Sequence, residues 1–224
     1  MKLNKKKVLV VALAVCLVSL ISMGTLAWFT DDDSSENKFF VTNSSETDPE
    51  KIFSIDVKEN VEGENDPVDN YEFKDLVPNQ TVQKKPYVIN TGAYDQWVRA
   101  TVTITDYNVF KATLGEDYVM ESVFGNINSE WIFDKKVVDE TAESGAGTVS
   151  YVFYLNRVLS ADATDPAKNT SVLFETVTIP KELEKEDFAA PSTLSDGFSI
   201  KVYAEAIQSE NTATNAKDAF GLID

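Results

Sequence analysis

The chain has 224 residues, with 37 acidic and 20 basic side chains, a net charge of −17, one cysteine and no histidine. A surface of this charge repels nucleic acid and anionic lipid, so nucleic-acid binding is excluded. The lack of histidine excludes serine–histidine–aspartate triads, histidine general bases and zinc sites of the H-E-x-x-H type.

The N-terminus has the three parts of a secretory signal. Four lysines within the first seven residues precede an apolar run of 16 residues, 8–23, and a stretch of small residues follows it. A bilayer-spanning helix needs about 20 apolar residues, and Thr25 and Ala27 fit the small-residue cleavage pattern. We therefore predict that residues 1–27 are a signal peptide, cut between Ala27 and Trp28 by a signal peptidase, and that the chain contacts the membrane only before this cut. An uncleaved anchor is the alternative.

Cleavage would leave a mature chain of 197 of the 224 residues, a length that suits one domain with its own core. It would remove Cys16 and four of the 20 basic residues but no acidic one, so the net charge would move from −17 to −21. Without cysteine the mature chain has no disulfide, zinc–thiolate site or thiol nucleophile. A lipoprotein signal at Cys16 is the alternative, although Val15 stands where such signals carry a small residue.

Residues 28–50 are predicted to form a flexible N-terminal arm before a β-sandwich domain at 51–224. Residues 30–36 and 43–50 are polar runs without periodicity, and a short apolar segment lies between them. The apolar residues of the arm are the candidate assembly segment: Trp28, Phe29, Phe39, Phe40 and Val41.

Strand patterns dominate the rest of the chain. The strongest is at residues 96–105, where Val98, Ala100, Val102 and Ile104 alternate with polar residues. Further strands are predicted at 52–57, 71–76, 81–90, 131–133, 149–155, 173–179 and 198–207, and short helices at 116–124 and 180–188. Pro86 predicts that 81–90 is an edge strand, because proline donates no ladder hydrogen bond. The pattern predicts an all-β fold, an antiparallel jelly-roll-like sandwich with short helices in loops, preceded by a signal helix.

The sequence offers little chemistry beyond its carboxylates. We predict no catalytic residue, no metal and no cofactor, since so many acids make chance pairs and no glycine-rich phosphate loop is present. Asp31–Asp33 and the pair Asp162 and Asp165 supply oxygens for calcium but do not match the spacing of an EF-hand.

Three aromatic residues are open to two interpretations. Tyr87, Tyr94 and Trp97 either line a carbohydrate groove or cover the sandwich. Trp97 lies on the strand face opposite to Val98, and for this residue packing is the favoured interpretation.

Three blocks of the chain resemble the camelysin and TasA-type family. The first is the signal with its exit, GTLAWFTD at 24–31. The second comprises LVPNQTV at 76–82, VINTG at 88–92 and WVR at 97–99. The third is the strand AEAIQ at 204–208. The resemblance implies a jelly-roll subunit of extracellular biofilm matrix fibres and a dedicated signal peptidase that cuts after Ala27. Asn79 departs from the family, which often has glycine there, but asparagine tolerates the left-handed conformation.

Some members of this family are classed as metallopeptidases. This chain has no histidine to carry such an activity, so we predict that it is not an enzyme.

The expected function is a secreted structural subunit that polymerises head to tail, because a donated strand satisfies the edge of the next subunit and such contacts do not close. The partners expected are further copies of the chain and other matrix proteins or polysaccharide. One alternative is that Phe39, Phe40 and Val41 fold back as the first strand of their own sandwich. Others are a monomeric surface module that binds glycans or proteins, and an enzyme.

Overall fold

The computed structural model describes residues 30–34, 54–61, 63–68, 71–73, 76–117, 119–188, 197–210 and 212–224. The predicted signal peptide and the residues Trp28, Phe29, Phe39, Phe40 and Val41 lie outside these ranges. The described residues form two antiparallel sheets that pack face to face, with a few short helices between strands. The prediction of an all-β sandwich is confirmed.

Each sheet is built from strands that are distant in sequence. The first sheet has the order β1 (Thr30–Ser34), β10 (Ile200–Gln208), β4 (Gln96–Thr105), β7 (Thr148–Leu155) and β6 (Trp131–Asp139). The second has the order β2 (Ile55–Val61), β3 (Thr81–Asn90), β9 (Thr176–Thr178) and β5 (Phe124–Gly125), and β8 (Thr170–Val172) also pairs with β3.

The helices are short and lie in the connections. They are α1 (Tyr107–Leu114), α2 (Val119–Val123), α3 (Ala142–Gly145), α4 (Pro166–Asn169), a 3-10 turn (Lys185–Phe188) and α5 (Ala216–Phe220). None of the helices in the described ranges is long and apolar enough to cross a membrane.

The main core lies between the two sheets. Val98, Ala100, Val102 and Ile104 of β4 are all buried there, as their period of two predicts, and they share the core with Val57, among others, from the second sheet. The strand predicted at 96–105 coincides with β4, and the strand predicted at 81–90 coincides with β3.

Other elements differ from prediction in length or type. The strand predicted at 131–133 continues to Asp139. Of the strand predicted at 173–179 only β9 (Thr176–Thr178) forms, and β8 ends just before it at Val172. No strand forms at the described positions of 71–76, and 180–188 contains only a 3-10 turn. The error at β6 has a clear cause, since Lys135 and Lys136 interrupt its alternation although the backbone still pairs with β7.

The prediction that Pro86 marks an edge strand is wrong. β3 pairs with β2 on one side and with β8 and β9 on the other. Pro86 lies between the β9 ladder at Thr81–Gln83 and the β8 ladder at Tyr87–Ile89. Its missing N–H therefore falls where the ladder is interrupted, while its carbonyl accepts from Leu173 N at 2.9 Å.

Buried amides hold the turn that joins the two sheets. Asn90 Oδ1 accepts from Gly92 N and from Gln96 Nε2, both at 2.9 Å, and its Nδ2 donates to Leu159 O at 3.0 Å. At the turn before β3, Asn79 has a φ of 66°, so the expectation that asparagine takes the left-handed conformation there is confirmed.

One ion pair is buried inside the sandwich. Lys84 of β3 donates to the carboxylate of Glu59 on β2, and the two side chains are 8 % and 2 % exposed. The pair joins neighbouring strands near one end of the second sheet. Removal of one partner would leave the other charge buried without a counter-ion.

We predict that Glu59→Leu lowers the free energy of unfolding by about 3–5 kcal/mol, because it leaves the Lys84 ammonium buried without its counter-ion. The double substitution Glu59→Leu with Lys84→Met is expected to recover most of this loss. Urea unfolding measures both. Lys85→Met, which removes the more exposed 3.7 Å pair with Glu175, is the matched control and should change stability by less than about 1 kcal/mol. An equal loss in the single and double variants would contradict the prediction.

Candidate functional site

The candidate site is the outer edge of the first sheet, where β1 lies. β1 begins three residues after the predicted cleavage position and pairs antiparallel with β10 over its whole length, from Thr30 opposite Ile207 to Ser34 opposite Tyr203. Within the described part of the chain β10 is its only partner strand. The hydrogen bonds of β1 thus run to a single neighbour.

β10 is a central strand only because β1 covers it. β4 pairs with the other side of β10 along nine residues, and Val202, Ala204 and Ala206 point into the core. Without β1, the β10 backbone would present a row of unpaired N–H and C=O groups. The place beside β10 is therefore a site for one strand, whichever chain supplies it.

The register places acidic residues of the two strands at opposed positions. Three of the five residues of β1 are aspartates, and Asp32 occupies the position opposite Glu205 of β10. The pairing that the structure shows is between the two backbones.

Arg99 neutralises Glu205 from the opposite side. Its Nε donates to Glu205 Oε2 at 2.8 Å and its Nη2 to Oε1 at 3.1 Å, while Nη1 donates to Asp224 Oδ2 at 2.5 Å. Burial by itself lowers the pKa of Arg99. The hydrogen bonds with the two carboxylates raise it by a larger amount, so the net shift of the pKa is upward. The guanidinium is already shared between two acids.

The same arginine anchors the C-terminal helix on the outer face of the first sheet. Its guanidinium lies 4.5 Å from the centre of the Phe220 ring of α5. Beneath the helix is a second apolar cluster: Trp97, Tyr154, Ile207, Ala216, Ala219 and Phe220. β4 and β10 are therefore covered on both faces, which makes them a rigid support for β1.

Trp97 belongs to this cluster and is 8 % exposed. Packing, the favoured interpretation, is confirmed for this residue. Tyr87 lies on β3 in the other sheet, and Tyr94 lines a cleft of about 430 Å³ with Asp95 and Glu210, among others. The three aromatic residues do not form one surface.

The carboxylates form no metal centre in the described ranges, where no group of three or more acidic, histidine or cysteine side chains converges. The Asp162 carboxylate accepts from Thr164 N at 3.0 Å and Thr164 Oγ1 at 2.6 Å, and the Thr164 hydroxyl lowers its pKa. Asp165 pairs with Lys168 at 2.9 Å. The Asp162 and Asp165 carboxylates are thus engaged within their own loop.

Searches against family models, curated proteins and solved structures find no match to this chain.

The structure and the sequence prediction place the site differently. Ala27 and the proposed assembly residues Trp28, Phe29, Phe39, Phe40 and Val41 lie outside the described residues. The strand that the structure shows is Thr30–Ser34, which the sequence pattern assigned to a polar run without periodicity. Its sequence TDDDS carries no apolar alternation, and an edge strand held by its backbone needs none.

We predict that Arg99→Lys lowers the free energy of unfolding by about 1–2 kcal/mol and speeds proteolysis of residues 209–224, because lysine cannot reproduce the two-pronged contact with Glu205 and the contact with Asp224. Urea unfolding and limited proteolysis followed by mass spectrometry measure these effects. Lys217→Met is the control. It removes another ion pair of α5, between Lys217, which is 68 % exposed, and Asp134, and it should lower the free energy of unfolding by under about 1 kcal/mol. Unchanged proteolysis in Arg99→Lys would show that Arg99 does not anchor the helix.

Proposed function

We propose that the protein is a secreted structural subunit of extracellular biofilm matrix fibres and that it polymerises head to tail by donation of its N-terminal strand. The observation that carries the proposal is the position of β1. It lies at an open sheet edge, pairs only with β10 among the described strands, and follows directly on the predicted cleavage site. Cleavage before Trp28 would free the strand for exchange.

Exchange of β1 conserves the contacts of the folded subunit. A strand of identical sequence from a second copy makes the same hydrogen bonds with β10, so the donation gains contacts between subunits without loss inside them. If each subunit donates its strand to the next, the contact is heterologous and the chain of subunits grows without closing.

The jelly-roll arrangement and the extracellular location are parts of the same proposal. Six of the nine connections between consecutive strands cross from one sheet to the other, and the pairs β2–β3, β6–β7 and β8–β9 stay within one sheet; the crossings support a jelly-roll connection. The basic, apolar and small-residue parts of residues 1–27 support export.

We predict that the mature chain from Trp28 to Asp224 forms filaments over hours in negative-stain microscopy and that a chain without residues 28–42 does not, because the second lacks β1. Circular dichroism of both chains checks that the sandwich has folded. Normal polymerisation of the shortened chain would disprove strand donation, and single particles from both would favour a monomeric surface module.

Two single-cysteine chains identify the donor within the same experiment. Ser34 lies opposite Tyr203, and Cys16 is removed with the signal, so chains with Ser34→Cys and with Tyr203→Cys each carry one thiol. In mixed filaments, oxidation should link the two different chains in pairs. The doubly substituted chain distinguishes the alternative, since a disulfide within one chain shows that β1 has stayed on its own sheet.

We predict that filaments form faster as sodium chloride rises from low to physiological concentration. Each copy carries a charge of −17 or, after cleavage, −21, and salt screens the repulsion between copies. Light scattering over time at several ionic strengths measures the rate. A rate independent of ionic strength contradicts the electrostatic part of the proposal.

A further inference from the structure

The opposite edge of the first sheet is formed by β6 and carries large apolar side chains in contact with solvent. Ile132 is 49 % exposed, Phe133 45 %, Val137 48 % and Val138 39 %. Within the described residues β6 pairs only with β7, so its other side has no partner strand. A nine-residue edge strand with this much exposed apolar surface is a site for pairing with another chain.

The four exposed apolar residues lie near both ends of the strand and on both of its faces. Ile132 and Val137 lie opposite Tyr154 and Ser150 of β7, on the outer face. Phe133 and Val138 lie opposite the core residues Phe153 and Val149, on the inner face. A β-bulge between Phe133 and Lys135 gives the strand one extra residue, Asp134, at its centre.

The charge on this strand differs from that of the whole protein. β6 has two lysines and two aspartates, and hence no net charge, in a chain of net charge −17. Two copies therefore repel each other less through this edge than through the acidic remainder of the surface. Lys135 is exposed, and Lys136 packs over the Tyr107 ring at 5.4 Å.

We propose that β6 pairs with β6 of a second copy, antiparallel about a two-fold axis between Asp134 and Lys135. This register places Ile132 opposite the partner's Val137 on the outer face, so that the two exposed apolar residues of that face meet each other. Phe133 comes opposite the alkyl chain of the partner's Lys136, and Lys135 opposite Asp134, which keeps its ion pair with Lys217 of its own chain. The contact is isologous, so it closes as a dimer and continues the first sheet from one copy into the other.

The alternative occupant, β1 of a second copy, fits this edge less well. Its sequence TDDDS would set charged and polar residues against Ile132, Phe133, Val137 and Val138 and would leave that apolar surface unpaired. The bulge and the two lysines at the centre of β6 are also devices that protect edge strands from partners. They occupy only the middle of the strand, and the exposed apolar residues extend on both sides of it.

This interface is independent of the proposed strand donation, because it uses the other edge of the sheet. β6 dimers form whether or not β1 is exchanged. If both contacts operate, filaments grow through β1 and are joined in pairs through β6.

A single cysteine tests the two-fold register. Lys135 lies beside the axis, and the mature chain has no other thiol, so Lys135→Cys should give disulfide-linked dimers when the secreted protein is oxidised at micromolar concentration. Lys181→Cys is the control, because Lys181 is also exposed but lies in a turn that belongs to neither sheet, and it should remain monomeric on a non-reducing gel. A Lys135→Cys chain that links no better than this control overturns the proposal. So does one that links efficiently only to a second chain carrying Asp32→Cys, since that result assigns β1 as the occupant.

A charge introduced on the apolar face tests the same interface without a cross-link. Val137→Lys should raise the dimer dissociation constant about tenfold or more in sedimentation velocity, because it places an unpaired charge against the partner's Ile132. Val77→Lys alters a residue that is 59 % exposed and lies outside the strands, and should leave the constant unchanged. Equal dissociation constants for the two variants, or a secreted protein that is monomeric throughout, overturns the proposal. Filaments that persist in Val137→Lys bear only on β1, so failure of one interface is distinguishable from failure of the other.

Discussion

Unpaired backbone groups at the two edges of the first sheet are the constraint on which the proposed assembly depends. An open sheet always ends in two strands that have one side without a partner, and those sides must be covered, protected or used. Here the edges are of opposite character. β1 is a five-residue acidic strand at one edge, and β6 is a nine-residue strand with exposed apolar side chains at the other.

The edges can serve as interaction sites because the centre of the sheet is held on both faces. β4 and β10 bury Val98, Val102 and Ala204 in the main core, and their other face carries the cluster under α5. Arg99 links this second layer to β10 through Glu205 and to the chain end through Asp224. A strand can leave or join the margin of such a sheet while the packed centre keeps its shape.

Local sequence predicted the strands whose burial alternates and failed where burial does not alternate. β3 and β4 follow their patterns at full length, because each residue facing the core is apolar or pairs with a buried partner, as Lys84 does with Glu59. β6 was predicted too short, because at an exposed edge with a bulge lysines and valines follow one another without a period of two. β1 was missed altogether, because its aspartates are held in a strand by the backbone of β10 and by no side-chain pattern.

The sequence by itself determined the class of the fold, the excess of acidic residues, the lack of imidazole chemistry and the turn residue Asn79, because these depend on composition, on period-two burial and on local backbone preference. Only the tertiary structure decided which strands are neighbours. It put Pro86 at a gap between two ladders, Trp97 beneath a helix about 120 residues away in sequence, and β1 and β6 at opposite margins of one sheet. Pairing between distant strands is set by the summed fit of both sheets and of the core between them, and no single segment encodes that sum.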